Sequence, residues 1–355
     1  MVYILGWSIA YLAWLLWEVR VFRHKLVYFL PMVYFLAVIV LRYSGTDTHS
    51  YENIFRALIE GDSGTFISGL EPGFVLMARL VLSISPSEVE GVRVIGAIFV
   101  CLLWLYLLRA DSVEFRFFAL YFLPLHIYQY GMNAVRVGLA SAMLMLAWQA
   151  LRRGDLRLFL LVGGAGVCIH YSLAVPFLLL IIYEYRRFDL RTVVISSVLV
   201  TVFAVLVIAR SDYFLGKLDT YVTASSPSTF SGVSQTILIT WVLIVFATSP
   251  LGFMGKTKVL VGVVIFAAAF QALAFFSYAG IRFQDILKFV LPMLLIREFD
   301  RHSTCPPRLF WFGLFIAGLA GTVFAYRNFL ADFDGQLTGS STPFLPYRTV
   351  LDYNR

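Results

Sequence analysis

Charge is what this sequence has least of. Of its 355 residues only 14% are charged, against 60% hydrophobic and 17% aromatic. A soluble domain usually carries about a quarter charged residues, so this chain has too few to face water on all sides. Cysteine is scarce as well. Cys101, Cys168 and Cys305 are widely separated, and the first two sit in apolar runs, which argues against a disulfide framework or a metal cluster. Alternating segments of about ten residues are missing, which argues against a transmembrane β-barrel. The opening 1–17 has no basic start and no small-residue cleavage site before Glu18, so it reads as a first span rather than a signal peptide. There is no Walker A loop for nucleotide hydrolysis, no HExxH for zinc and no GxSxG elbow for a serine hydrolase.

What the chain does have is a succession of apolar stretches, each broken by a short polar one. Stretches of about 17–25 apolar residues are the length a bilayer requires. The pattern predicts an all-α polytopic integral membrane protein, a single transmembrane domain over 1–355. Six polar breaks, "EVRVFRHKL", "RADSVEFR", "RRGDLR", "RRFDLR", "KTK" and "REFDRHSTCPPR", hold 16 of the 28 basic residues. Under the positive-inside rule they belong on the cytoplasmic side, and this placement accounts for the +7 net charge without nucleic acid. The spans then fall at 2–18, 26–41, 90–109, 115–131, 135–151, 156–169, 173–185, 191–210, 234–250, 258–277, 283–297 and 309–326, about 12 in all, with both termini outside. The pair 156–169 and 173–185 is short, which predicts two tilted or broken helices meeting near His170. Read as a full span, 77–85 would reverse the basic loops, so a re-entrant or interfacial helix on the outer side is expected there. Polar outer regions remain at 42–89, 211–233 and 327–355.

This topology puts Arg42, Asp47, Glu71, Asn133, Arg136, His170 and Arg282 at one level, the outer ends of the spans. Ionisable groups at membrane depth are costly and usually face a cavity or a partner. Each also has a plainer reading. Arg42 could snorkel to headgroups, and "GTD" could be only a turn. Glu71 before Pro72 could cap a helix. Asn133 could cap the next helix, while its i, i+3 spacing to Arg136 puts both on one face. His170 could be a packing residue, and Arg282 could pair with Asp285. Three arginines together would make a strong phosphate receptor, since a guanidinium binds phosphate oxygens bidentately and keeps its charge.

"RYSGTDTHSY", "EPGF", "NAVRVGLA", "IHYSLAVPF", a late "IRF" and "LPYRTVLDY" follow in that order. In order and spacing they resemble the EpsG-like family of Wzy-type polysaccharide polymerases. The resemblance implies a protein of the bacterial inner membrane, working on its outer, periplasmic side. It would join oligosaccharide repeat units carried on undecaprenyl diphosphate, with no nucleotide-sugar donor and no cofactor or obligatory metal. Donor and acceptor would both be lipid-linked, and a chain-length regulator and a flippase are further possible partners.

In that chemistry Arg136, Arg282 and Arg42 are expected to hold the diphosphate as charge develops on it. His170, Asp47 and Glu71 are the candidates for base or orienting acceptor, His170 first because its unperturbed pKa of about 6.5 suits the task. Tyr51, Asn133 and Tyr171 are expected to contact substrate. Other readings stay open: an O-antigen ligase-like transferase, a GT-C glycosyltransferase, or a flippase that makes no bond.

Overall fold

The computed structural model describes residues 1–21, 24–61, 69–184, 232–331 and 342–350, with Thr201, Ser211 and Gly216. The expected span at 191–210, the loop at 211–233, the basic break at 186–191 and the tail segments 332–341 and 351–355 lie almost wholly outside the described residues. Among the described residues every regular element is helical, and one isolated antiparallel bridge joins Arg42 to Thr349. The chain forms two compact units, Met1–Tyr171 with Leu314–Arg355, and Ser172–Gly313.

The first unit contains α1 (Val2–Glu18), α2 (Phe29–Val40), α3 (Thr48–Ile59), α4 (Pro72–Ile84) and α5 (Glu88–Arg109). A rod follows, made of α6 (Ser112–Phe117) and α7 (Leu123–Tyr128) with π-turns at Phe118–Phe122 and Gln129–Asn133. Then come α8 (Val135–Arg152) and α9 (Leu156–Ile169). The rod is the centre of the unit. Phe117, Phe118, Tyr121, Phe122 and Ile127 expose nothing, because the middle of the rod, 117–125, is apolar or aromatic on every side. Small residues let its neighbours approach: a Cβ on Gly131 would lie 2.5 Å from Ile39 of α2, the close packing that small residues allow between membrane helices.

In 42–89 the sequence pattern predicts one interfacial helix, and the described residues there form two. α4 covers the expected position and is too short to span at 13 residues. α3 is the additional one. It buries Tyr51, Ile54 and Phe55 and exposes His49, Asn53 and Arg56, an apolar stripe too narrow to stand out in a polar stretch.

The basic breaks of this unit gather at one end. Lys25 Nζ donates to the Ala110 carbonyl, Arg116 pairs with Glu18 at 3.0 Å, and Arg152 pairs with Asp111 at 2.8 Å. Buried Glu114 takes Arg152 at 3.0 Å and Arg153 at 3.1 Å. Desolvation pushes its carboxyl above the ordinary range. α8 runs from this end to the other: its 18 residues at about 1.5 Å each cover about 27 Å, close to the hydrocarbon thickness of a bilayer.

The second unit holds α10 (Ala174–Glu184), α11 (Val233–Ala247), α12 (Phe253–Ala274) and α13 (Tyr278–Arg301), and α14 (Arg308–Ala331) begins in it. Its basic breaks also share an end. Arg297 grips Glu184 through two bonds of 2.8 and 2.7 Å, Arg301 donates to the Glu184 carbonyl at 2.7 Å, and Lys256 caps α11 at the Ala247 and Ser249 carbonyls.

Three described helices, Glu88–Arg109, Gly255–Ala274 and Arg308–Leu330, are long and apolar enough to cross a membrane, and six shorter apolar helices accompany them. Among the described residues these make nine apolar helices towards the expected count of about 12, some of them short or broken. The expected span at 115–131 stays helical throughout, with two π-turns in it, and the expected pair 156–169 and 173–185 parts at His170, whose extended backbone (φ −152°, ψ 114°) ends α9.

Candidate functional site

Opposite the basic end of the first unit, the chain leaves α2, turns, and enters α3. Gly45 makes the turn at φ +120°, a conformation that favours glycine, and a Cβ there would lie 2.8 Å from the Met132 carbonyl. The segment 342–350 straps this turn down. Tyr43 N–H donates to the Arg348 carbonyl and Gly45 N–H to that of Pro343, both at 2.8 Å, and Val350 N–H donates to Leu41 at 2.9 Å. Asn133 holds the turn from the other side, its Oδ1 accepting from Thr46 N–H at 3.1 Å.

At the centre is Glu71, which exposes nothing. Its Oε2 takes Arg136 NH1 at 2.5 Å and its Oε1 lies 2.7 Å from His170 Nδ1. Arg136 also sits over the Phe74 ring, 5.6 Å from its centroid, and its backbone N–H donates to the Tyr51 hydroxyl at 3.2 Å. The side chains of Arg136 and His170 are 20% and 12% exposed against 0% for Glu71, so the two basic groups form the open face and the carboxylate the floor. Burial raises the Tyr51 phenol above its usual value, so it stays protonated.

Arg42 lies beside this group. NH1 donates to the carbonyls of Ile39 at 2.9 Å and Gly131 at 2.6 Å. The π-turn turns the Gly131 carbonyl to this use, as such turns often do at functional sites. Nε and NH2 of Arg42 are buried without a partner among the described residues. Desolvation lowers its pKa to about 10, opposed by Tyr51 and, more weakly, Asp47; the group stays charged at neutral pH.

Several plainer readings are corrected by this geometry. Arg42 does not snorkel, being 3% exposed. Glu71 occupies the N-cap of α4, with Pro72 next, yet its side chain makes no cap bond, because Arg136 and His170 hold both oxygens. Asn133 does not cap α8, whose N-cap is Ala134, and that break in the helix removes the i, i+3 face shared with Arg136. Asp285 pairs with Lys288 at 2.8 Å rather than with Arg282, a one-turn contact within α13. Arg282 is exposed and belongs to the second unit. Tyr171 is buried next to His170, and Asp47 is the N-cap residue of α3.

Sequence reasoning missed Phe74 beneath Arg136 and Gly73, where a Cβ would lie 2.7 Å from the Cys168 backbone. The signal was present in "EPGF", a glycine where the helix start must touch another backbone. Among the described residues no three His, Cys, Asp or Glu side chains converge as metal ligands would.

A strongly apolar chain whose described elements are all helical, with a charged site at the end of one helical unit, fits the class of membrane proteins. Within that class the chain belongs to the EpsG family, whose model matches residues 25–349, the family of Wzy-type polysaccharide polymerases. No curated protein and no solved structure matches the chain.

Proposed function

We propose that the chain is a polymerase that joins oligosaccharide repeat units carried on undecaprenyl diphosphate, working at the outer face of the bacterial inner membrane. The observation that carries this reading is buried Glu71 joined to both Arg136 and His170 in a chain of this family. The acceptor is the hydroxyl of a second lipid-linked unit. Its oxygen attacks the anomeric carbon of the donor sugar, the bond from that carbon to the diphosphate breaks, and the electron pair leaves on the diphosphate.

His170 takes the hydroxyl proton at Nε2. Glu71, bound to Nδ1, fixes the ring orientation and stabilises the imidazolium that forms, the arrangement by which carboxylates support histidine bases elsewhere. Glu71 is then a positioning residue rather than a base. Arg136 and Arg42 face the charge growing on the diphosphate, a task for fixed donors in a site shielded from water. Arg42 suits it better, because the Glu71 carboxylate already compensates Arg136. Arg282 is retained as a diphosphate ligand on its residue type alone, Asp47 as an orienting acceptor, and Tyr51, Asn133 and Tyr171 as the sugar-side wall.

The test is incubation of purified protein with a synthetic undecaprenyl-diphosphate repeat unit. A glycan ladder formed without any other acceptor is the expected result. Transfer of one unit to a lipid A core alone would make it a ligase, and no covalent change would leave only transport.

A further inference from the structure

Two cavities meet at the basic end of the first unit, far from the group around Glu71. One is a groove of about 620 Å³ between α1 and α2, walled by Ile9, Leu12, Leu16 and Leu30. The other, about 250 Å³, is lined by Trp17, Lys25, Trp104 and Ser112. His24 and Leu26 line both, so the aliphatic groove and the polar pocket are contiguous there. Leu12, Leu26 and Leu30 are more than half exposed.

Among the described residues no carboxylate pairs with Lys25 in the pocket. Lys25 gives one proton to the Ala110 carbonyl, and an ammonium has three to give. The acids nearby are engaged: Glu18 by Arg116 at 3.0 Å, and Asp111 by Arg152 at 2.8 Å and by the N-terminus of α6. Trp104 is packed edge-on by Phe29 at 5.2 Å, and Trp17 lies under Arg116 at 5.4 Å. Tryptophans concentrate where bilayer meets water.

We infer that these cavities bind one anionic phospholipid of the surrounding bilayer, an acyl chain lying in the α1–α2 groove and the phosphate resting on Lys25. Basic pockets between membrane helices hold such headgroups. A zwitterionic lipid would bring its own cation towards Lys25, and a free anion would leave the groove empty, so charge and shape together select the anionic lipid.

The full chain, reconstituted in phosphatidylcholine with rising fractions of dibrominated phosphatidylglycerol, tests this through tryptophan emission, which bromine quenches on contact. Quenching should saturate at a low fraction of the anionic lipid and grow only gradually with dibrominated phosphatidylcholine. Trp104→Phe should remove part of the saturating component. Lys25→Gln should raise the half-saturating fraction about fivefold, the contribution of one basic residue at an anionic surface. Val27→Phe, which fills the groove and keeps the Lys25 bond to Ala110, should raise it too and serves alone if Lys25→Gln does not fold. Equal quenching by the two brominated lipids overturns the proposal. So does a saturating component unmoved by the variants, or one fully reversed by inorganic phosphate.

Discussion

Two basic side chains converge on buried Glu71 from 65 and 99 residues further along the chain. A carboxylate so placed is neutralised by Arg136 and directed at His170, and the variant that separates these jobs is Glu71→Gln. Glu71→Ala would strand Arg136 beside a void, a change that typically costs about 3–5 kcal/mol, and would confuse folding with function. Glutamine keeps the shape and a hydrogen bond to the imidazole but not the charge that favours the imidazolium. Glycan-ladder formation per folded molecule should therefore fall by about 10²–10⁴, while binding of the lipid-linked substrate changes little. Unchanged ladder growth would remove His170 from proton transfer. The separate polar residues were legible in the sequence, because an ionisable group between apolar runs is conspicuous. Their partnership was not. Nothing local in "EPGF" tells a helix cap from the hub of a long-range ion pair, and only the fold that brings α4, α8 and α9 together decides it.

At the scale of elements, the site depends on how closely the start of α4 lies against the end of α9. Gly73 makes that contact, with no room for a Cβ against the Cys168 backbone. In Gly73→Ala the two helices must part, and Glu71, two residues before, moves away from His170. Overpacking of this kind costs about 1–3 kcal/mol, so the protein should still accumulate. A shift near 1 Å at the reacting groups can cost about 10²-fold in rate, so the ladder should fall far more than the abundance. Gly164→Ala in α9 is the control, since nothing lies within 4 Å of that position. Equal activity of the two variants would show that the α4–α9 contact does not set the geometry. The break at His170 was legible from the shortness of its flanking runs. The π-turns and α3 were not: a π-turn leaves no mark on hydrophobic periodicity, and α3 shows too few apolar residues to stand out.

For the molecule as a whole, the six basic breaks carry the orientation. Those described in each unit meet at one end of that unit, through Lys25, Arg116, Arg152 and Arg153 in the first and Lys256, Arg297 and Arg301 in the second. In the first unit the group around Glu71 sits at the far end of α8 from them. If the basic ends face the cytoplasm, as the positive-inside rule has it, that group faces outward, where a lipid-linked glycan would be extended. Single cysteines decide it in a chain whose three native cysteines are replaced by serine. Glu60→Cys, at the exposed end of α3, should react with a membrane-impermeant maleimide in intact cells. Arg157→Cys in the first turn of α9 and Ser303→Cys just beyond α13, both exposed, should react only after the membrane is opened. Labelling of Arg157→Cys in sealed cells would turn the site inward and sink the outer-face reaction, while leaving the Glu71 geometry as it stands. Labelling of Ser303→Cys alone would instead give the second unit a different orientation from the first, and would end the case for Arg282 at the same face as Arg136.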